Sequence, residues 1–213
     1  MAFFGLKYLK AKAAVAAASV GATILKTGQT VSYATGDDGD IQAGRGTDFF
    51  TLASNNPFGN TYRFTGTTGS NTTIPDNIVL DWTTYDGQTV LGYGYFIGGT
   101  SRGSNWDDAV ANGLTYSAGT YTSGWRLANI RELQNLQNWS IDFFQRDYAP
   151  FNTLGSSNVA YNDLWSSTSL PESPRWSKLY LEAEIGYTQD AGRTSAKSSI
   201  PVRTFTVTGT TLT

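Results

Sequence analysis

Apolar and polar positions alternate in short runs along most of the chain, and residues that favour turns separate the runs. Stretches such as "TGDDGD", "NNPFGN" and "TTGSNTT" lie between them, and their glycine and asparagine residues readily adopt turn conformations. Runs of this length with β-branched and aromatic residues predict strands. The predicted strands are 61–64, 78–82, 90–97, 178–181 and 202–207.

Two other stretches have the spacing of helices. Residues 104–112 form the first, with Ser104 as the predicted cap and Asp107 and Asp108 in the first turn. Residues 129–138 form the second, with Asn129 as the cap. Its predicted inner face consists of Ile130, Leu133, Leu136 and Gln137. Few helices, short strands and long loops together predict an α+β domain.

The second helix stands between two tryptophans and is predicted to be part of the core. Trp125 and Leu127 precede it, so they are expected to pack with it on the sheet, and Trp165 is expected to be buried as well. Glu132 lies within it and has two readings. The first reading is an acid/base or ion-binding group. The second, which we favour, is a structural carboxylate that pairs with Arg126 or Arg131 and so braces the fold.

The first 25 residues differ from the rest, because they are rich in alanine and contain no acidic residue. Residues 1–30 carry four lysines, and the remaining 11 basic and 17 acidic residues leave a charge of −6 on the body. The composition predicts an N-terminal helical arm over residues 1–25 and a folded domain over residues 26–213. The segment is too short and too weakly apolar for a transmembrane helix.

The arm is expected to fasten the chain to neighbouring copies or to other subunits of an assembly. An isolated helix of this length is marginal in water and needs such contacts. The larger apolar residues available for them are Phe3, Phe4, Leu6, Tyr8 and Leu9. The alternative is a signal peptide over residues 1–22, which the basic start and the small residues of "VGA" resemble. We favour the arm, since three of its apolar residues precede the lysines.

The chain contains no cysteine and no histidine. Disulfides, zinc sites with thiolate or imidazole ligands and nucleophilic catalysis by Cys or by a Ser/His pair are therefore excluded. Carboxylates, Lys and Tyr are left for enzyme chemistry, and no spacing in the sequence identifies a pair of facing carboxylates. The acidic body also makes nucleic acid an unsuitable partner. We therefore expect a non-enzymatic protein.

Six sequence blocks, in order, resemble the Lcl C-terminal domain family, which is named after a bacterial collagen-like adhesin. The strongest is "GWRLANIRELQNLQNWS"; the others are "KTGQTVSYATGDDGDIQAGR", "DNIVLDW", "NWDDAVANGLTY", "DLWSSTSL" and "SIPVRTFTV". They cover residues 26–207. The resemblance implies a C-type-lectin-like fold of the formylglycine-generating-enzyme-like branch, with a twisted antiparallel sheet, two helices and long loops. Thr204 stands where the family often has cysteine.

Residues 146–176 are the predicted ligand-binding segment, because lectin-like domains usually bind through this region. The segment is expected to be long and weakly regular, and to combine rigid aromatic rings with adaptable amides. Its candidate binding residues are Tyr148, Asn158, Tyr161, Asn162, Arg175 and Trp176. The alternative is that these side chains only hold a loop in place.

No cofactor is expected, although a calcium site has one weak candidate. Asp37, Asp38 and Asp40 in "GDDGD" supply hard oxygen ligands around a glycine turn. The sequence is not an EF-hand loop, and the sugar-calcium motifs of C-type lectins are missing. A solvated turn is the favoured reading.

The sequence thus predicts a recognition or adhesion module on an extracellular assembly, such as a virion fibre or a cell-surface filament. Its expected partner is a glycan or a protein on a host surface. Two alternatives stay open: a purely structural decoration protein with no external ligand, and a secreted bacterial adhesin with a cleaved signal peptide.

Overall fold

A computed structural model describes residues 25–71, 77–94, 105–138, 164–170, 173–181, 187–192, 194 and 197–213. This part is α+β. Its helices are α1 (Asp38–Ile41), α2 (Trp106–Thr115) and α3 (Ile130–Gln134), with a short 3-10 helix at Trp82–Thr84. The strands are β1 (Phe64–Gly66), β2 (Val79–Asp81), β3 (Thr89–Tyr93), β4 (Trp125–Leu127), β5 (Leu164–Leu170), β6 (Ser173–Leu181), β7 (Tyr187–Gly192), β8 (Ser198–Ser199), β9 (Pro201–Thr208) and β10 (Thr211–Leu212).

The strands form two sheets. The larger is a curled antiparallel sheet in the order β1-β2-β3-β9-β10, and β4 also pairs with β9. Strand β9 therefore joins segments that lie far apart in sequence, since Val202 pairs with both Tyr93 and Arg126. The smaller sheet has the order β7-β6-β5-β8, in which only the β5–β8 pairing is parallel.

Each predicted strand region contains a strand, but the borders differ. Strand β1 begins only at Phe64, at the last residue of the predicted 61–64. The preceding residues bond to the segment 50–52 instead: Arg63 N–H donates to the Phe50 carbonyl at 2.7 Å, and Thr51 forms an isolated bridge with Tyr62. Predicted strand 178–181 is the end of the longer β6, and residues 95–97 lie outside the described part.

Both predicted helices are present, with corrected ends. Helix α2 begins at Trp106 because Asn105 caps it and accepts the Asp108 N–H at 2.9 Å. The predicted cap, Ser104, lies outside the described residues. Asn129 caps α3 as predicted, and Glu132 completes a capping box with it. Helix α3 ends at Gln134 rather than at 138, and the next two residues continue in tighter turns. All three large residues of its inner face still become buried or nearly so: Ile130, Leu133 and Leu136.

The core contains both tryptophans that were expected there. Trp125 is 3% exposed and Trp165 is fully buried, which confirms the prediction. Trp125 packs edge-to-face on Tyr116 and Phe205, with centroid distances of 4.8 and 6.0 Å. The side chain of Trp165 packs between α2 and β4. Large rings thus fix long connections between few regular elements.

Helix α2 approaches strand β4 closely through a glycine. A Cβ atom on Gly113 would lie 2.5 Å from the backbone nitrogen of Leu127, closer than any packed side chain allows. Ala109, one turn earlier, is also fully buried. The small residues of this helix therefore face the strand, and the helix is held by backbone proximity as well as by apolar area.

Two arginine–carboxylate pairs brace the fold. Arg63 binds Asp81 in a bidentate pair at 3.0 and 2.9 Å, and both side chains are buried. Arg126 makes a second bidentate pair with Glu132, in which the arginine side chain is 43% exposed. The predicted arginine partner of Glu132 is thus confirmed.

Of the predicted arm, residues 1–25, only Leu25 belongs to the described residues, where it forms an isolated bridge with Arg45. In the described part of the chain, no helix has the length and apolar character needed to cross a bilayer.

Candidate functional site

A groove opens between the 3-10 helix and the loop formed by residues 44–56. Its volume is about 390 Å³. Its lining combines aromatic rings, small polar side chains and one arginine: Gly44, Arg45, Gly46, Leu52, Ala53, Ser54, Asn55, Asn56, Trp82 and Tyr85. A volume of this size lies within the range of small-molecule sites.

Two aromatic rings form one side of the groove. The Trp82 ring is 3% exposed, and its Nε1–H donates to the hydroxyl of Thr65 at 2.8 Å. Tyr85 packs edge-to-face on Trp82 at 5.6 Å, and its hydroxyl donates to the Gly87 carbonyl at 2.9 Å. Trp82 is thus a fixed support, and Tyr85, which is half-buried, presents aromatic surface to the groove.

The loop opposite is held in one conformation by its own backbone and by an asparagine. Gly46 has φ +93°, and a Cβ atom there would lie 2.3 Å from the Thr51 carbonyl, so only glycine fits. The amide of Asn56 is buried; it donates to Asn60 Oδ1 at 2.8 Å and to the Tyr62 carbonyl at 3.1 Å. The loop is preorganised, which reduces the entropy lost when a ligand binds.

The free polar groups of the groove lie at its edge. Ser54 and Asn55 are exposed, and in the described part of the chain their side chains make no hydrogen bond. Arg45 is the only charged side chain among the lining residues that the structure describes, and it donates through Nη1 to the Thr83 carbonyl. The edge therefore offers a hydroxyl, an amide and a partly committed guanidinium to a polar ligand.

The described lining of the groove contains two titratable side chains, Arg45 and Tyr85. Its described residues include no carboxylate, lysine or histidine that could move a proton. Where pKa values are shifted, the causes are structural. The backbone N–H of Tyr33 lowers the pKa of Asp37, and that of Thr89 lowers the pKa of Asp86. Burial raises the pKa of Tyr93, and the hydrogen bonds that Arg126 donates to Glu132 raise the pKa of Arg126. None of these groups lines the groove.

No family model matches this chain, and no curated protein matches it either.

The predicted ligand-binding segment is described only in part. Tyr148, Asn158, Tyr161 and Asn162 lie outside the described residues. Arg175 and Trp176 lie on the nine-residue strand β6, and their side chains are outside the described part. The expectation of a weakly regular segment up to 176 is wrong for residues 164–170 and 173–176, because β5 and β6 pair as antiparallel strands there.

The aspartate cluster lies at the start of α1, and its carboxylates accept hydrogen bonds from backbone N–H groups and from a hydroxyl. Asp37 caps α1 and accepts the N–H groups of Tyr33 and Asp40 at 2.6 and 2.9 Å. Asp40 accepts the Gly36 N–H at 2.9 Å, and Asp38 accepts the Thr27 hydroxyl. The described residues contain no group of three or more acidic side chains arranged around a common point that could hold a metal ion.

Sequence reasoning missed the groove because its residues lack a motif. Its two sides lie about 30 positions apart, and Asn55 and Tyr85 are individually ordinary surface residues. The one available signal was the unusual density of Gly, Ser and Asn in residues 44–60, which indicates a structured loop rather than a linker.

Proposed function

We propose that this protein is a non-catalytic recognition module of an extracellular assembly, and that it binds a surface glycan. The observation that carries the proposal is the groove of about 390 Å³, with an aromatic side, free polar groups at its edge and no carboxylate among its described lining residues. These are properties of a site that holds a ligand without transforming it.

A saccharide ring matches the two kinds of surface that the groove offers. The C–H face of a sugar packs on an aromatic ring such as Tyr85, and its hydroxyl groups exchange hydrogen bonds with side chains such as Ser54 and Asn55. Arg45 adds a positive charge, so neutral and acidic sugars both suit the lining. A glycosidase would instead need two carboxyl groups about 5–9 Å apart in the groove.

The proposed fold is C-type-lectin-like. Two features support it: the helices α2 and α3 lie in sequence between β3 and β9, and β9 returns to pair with both β3 and β4. Three of the six motif blocks of the resemblance fall on these elements: "NWDDAVANGLTY" on α2, "GWRLANIRELQNLQNWS" on β4 and α3, and "SIPVRTFTV" on β9. In this proposal, residues 146–176 remain a second contact region, with Tyr148, Asn158, Tyr161, Asn162, Arg175 and Trp176 as candidate residues.

In the proposed assembly, the arm attaches each chain to its neighbours. Residues 1–25 carry apolar residues and lysines without an acidic residue, whereas the body has a charge of −6. Arms of neighbouring copies are therefore attracted to the bodies, and apolar packing supplies most of the binding free energy, since exposed charge pairs contribute only about 0–1 kcal/mol each.

The glycan proposal is tested on an array of surface glycans, followed by affinity measurements on any ligand found. Asn55→Ala and Tyr85→Ala are expected to raise the dissociation constant about three- to tenfold each, the equivalent of one lost hydrogen bond or ring contact. Tyr62→Ala changes an exposed tyrosine that does not line the groove; it is the matched control and is expected to leave affinity unchanged.

The test also separates the alternatives. Binding only to a protein from the host surface would replace the glycan with a polypeptide ligand. No binding to either would favour the purely structural role. Equal losses in the Tyr62 and Tyr85 variants would mean that the groove is not the contact.

A further inference from the structure

One loop carries three of the exposed large hydrophobic side chains in the described part of the chain. Among the described residues, five large hydrophobic side chains are exposed, and three of them lie within eleven positions: Val31, Tyr33 and Ile41, at 55, 84 and 62%. We call residues 31–41 the acidic loop, because they also contain three aspartates and no basic residue. Apolar and acidic groups concentrated on one loop are typical of an interaction surface.

The acidic loop is held in one conformation, and this conformation keeps its apolar side chains exposed. The Asp37 carboxylate accepts the N–H groups of Tyr33 and Ala34 at 2.6 and 3.0 Å, which fixes the turn before α1. Gly39 packs directly on the backbone of Val31, where a Cβ atom would lie 2.1 Å from the carbonyl oxygen. A loop tied this firmly has no freedom to fold its apolar residues inward.

The arm is complementary to this loop in both apolar character and charge. Residues 1–24 contain three lysines and no acidic residue, against three aspartates in the loop. The apolar residues of the arm, at positions 3–9, stand among and just before these lysines. The same short segment can therefore cover the exposed apolar side chains and face the aspartates.

The spacing along the chain favours a contact between copies. If the arm takes the helix that its sequence predicts, residues 3–9 lie about 24–33 Å from Leu25, at 1.5 Å per residue. The acidic loop begins only six residues after Leu25. Docking onto its own loop would require the arm to turn back on itself, whereas a neighbouring copy is reached directly.

We propose that the acidic loop is the docking surface for residues 3–12 of a neighbouring copy, with Val31, Tyr33 and Ile41 packing against the apolar residues of the arm and the aspartates facing its lysines. This inference rests on the proposed role of the arm in assembly, and it adds the surface that the arm occupies.

The test compares the masses in solution of four full-length chains by light scattering at matched concentrations. They are the wild type, an arm variant, a loop variant and a control. The arm variant combines Phe3→Ser, Phe4→Ser and Leu6→Ser, and the loop variant combines Val31→Ser, Tyr33→Ser and Ile41→Ser. The control changes the two other exposed hydrophobic residues, Tyr62→Ser and Leu114→Ser. Circular dichroism and tryptophan fluorescence establish that each variant is folded.

The wild type and the control are expected to associate, and the arm and loop variants are each expected to fall to the single-chain mass of 23.0 kDa. A mixture of the arm and loop variants is expected to regain association, because the intact arm of one meets the intact loop of the other. If the arm variant dissociates and the loop variant does not, the acidic loop is not the docking surface, but assembly through the arm is still supported. A wild type that stays monomeric, or an arm variant that still associates, overturns both. Two dissociated variants that do not pair when mixed overturn docking in favour of another partner for the loop.

Discussion

Replacing Asp81 by asparagine is predicted to be one of the most destabilising isosteric changes in this protein. The carboxylate is fully buried and accepts four hydrogen bonds: two from Arg63, at 3.0 and 2.9 Å, and two from Thr83, at 3.0 and 2.6 Å. Asparagine has the same shape but turns an N–H₂ donor towards a donor-rich site and leaves the arginine charge without a counter-ion.

The magnitude follows from the burial of both partners. Removing one member of a buried ion pair costs about 3–5 kcal/mol, because the other charge stays in a medium of low polarity. Arg63 keeps the Asn135 carbonyl at 2.7 Å and lies between the rings of Phe49 and Phe64, at 4.3 and 4.4 Å. These contacts position the guanidinium and do not neutralise it, so we expect a loss of about 4 kcal/mol.

Equilibrium unfolding in urea, followed by tryptophan fluorescence, measures this loss. The matched control is Glu132→Gln, because Arg126 and Glu132 also form a bidentate pair but with the arginine side chain 43% exposed. Glutamine also preserves the capping box, so the control is expected to lose only about 0–1 kcal/mol. A double variant, Arg63→Met with Asp81→Leu, is expected to recover much of the loss. Equal losses for Asp81→Asn and Glu132→Gln would refute the argument that burial decides the strength of the pair.

Three further predictions concern stability, each measured by the same unfolding experiment. Gly113→Ala is expected to destabilise the protein by about 1–3 kcal/mol, because the new Cβ would lie 2.5 Å from the backbone of β4. This loss is expected although alanine favours helices. The control, Asn112→Ala on the same helix, is expected to be slightly stabilising. Tyr93→Phe is expected to cost about 1 kcal/mol, since the buried phenol donates to the Glu132 carbonyl at 3.1 Å. Asp86→Asn is expected to lower the free energy of unfolding at pH 7. It is also expected to reduce the amount of stability that the protein loses on acidification. The pKa of this carboxyl is lowered below 3.8 in the folded chain, so its contribution is present above pH 3.8 and disappears as the pH falls through the folded value.

For each of these three variants, a specific result would contradict the prediction. A stabilised Gly113 variant would mean that α2 is free to move away from β4. An unchanged Tyr93 variant would mean that the hydroxyl contributes no net free energy. An Asp86 variant with the acid transition of the parent would assign that transition to other carboxyl groups.

The core and the main elements were predictable where the local sequence pattern agrees with the fold. Trp125, Trp165 and the inner face of α3 could be placed because large apolar residues at helical spacing have few alternatives to burial. Asn129 was identifiable as a cap because the hydrogen bond that it makes is local, to N–H groups two and three residues away.

Element borders and short strands were not predictable, because tertiary contacts set them. Strand β4 has three residues and becomes a strand only through its pairing with β9, some 76 positions later in the chain. The start of β1 depends on Arg63, whose burial against Asp81 replaces the exposed position that an arginine usually takes.

The sequence by itself determined the α+β class, the positions of α2 and α3, the buried tryptophans and the pairing of Glu132 with an arginine, because each follows from local spacing or from the strong burial preference of a large side chain. Helix α1 and the 3-10 helix were not predicted. Only the tertiary structure decided the groove between residues 44–56 and the 3-10 helix, the exposure of Val31, Tyr33 and Ile41, and the backbone contact at Gly113. These features depend on distances between segments remote in sequence, and such distances are set by the packing of the whole chain rather than by any local pattern.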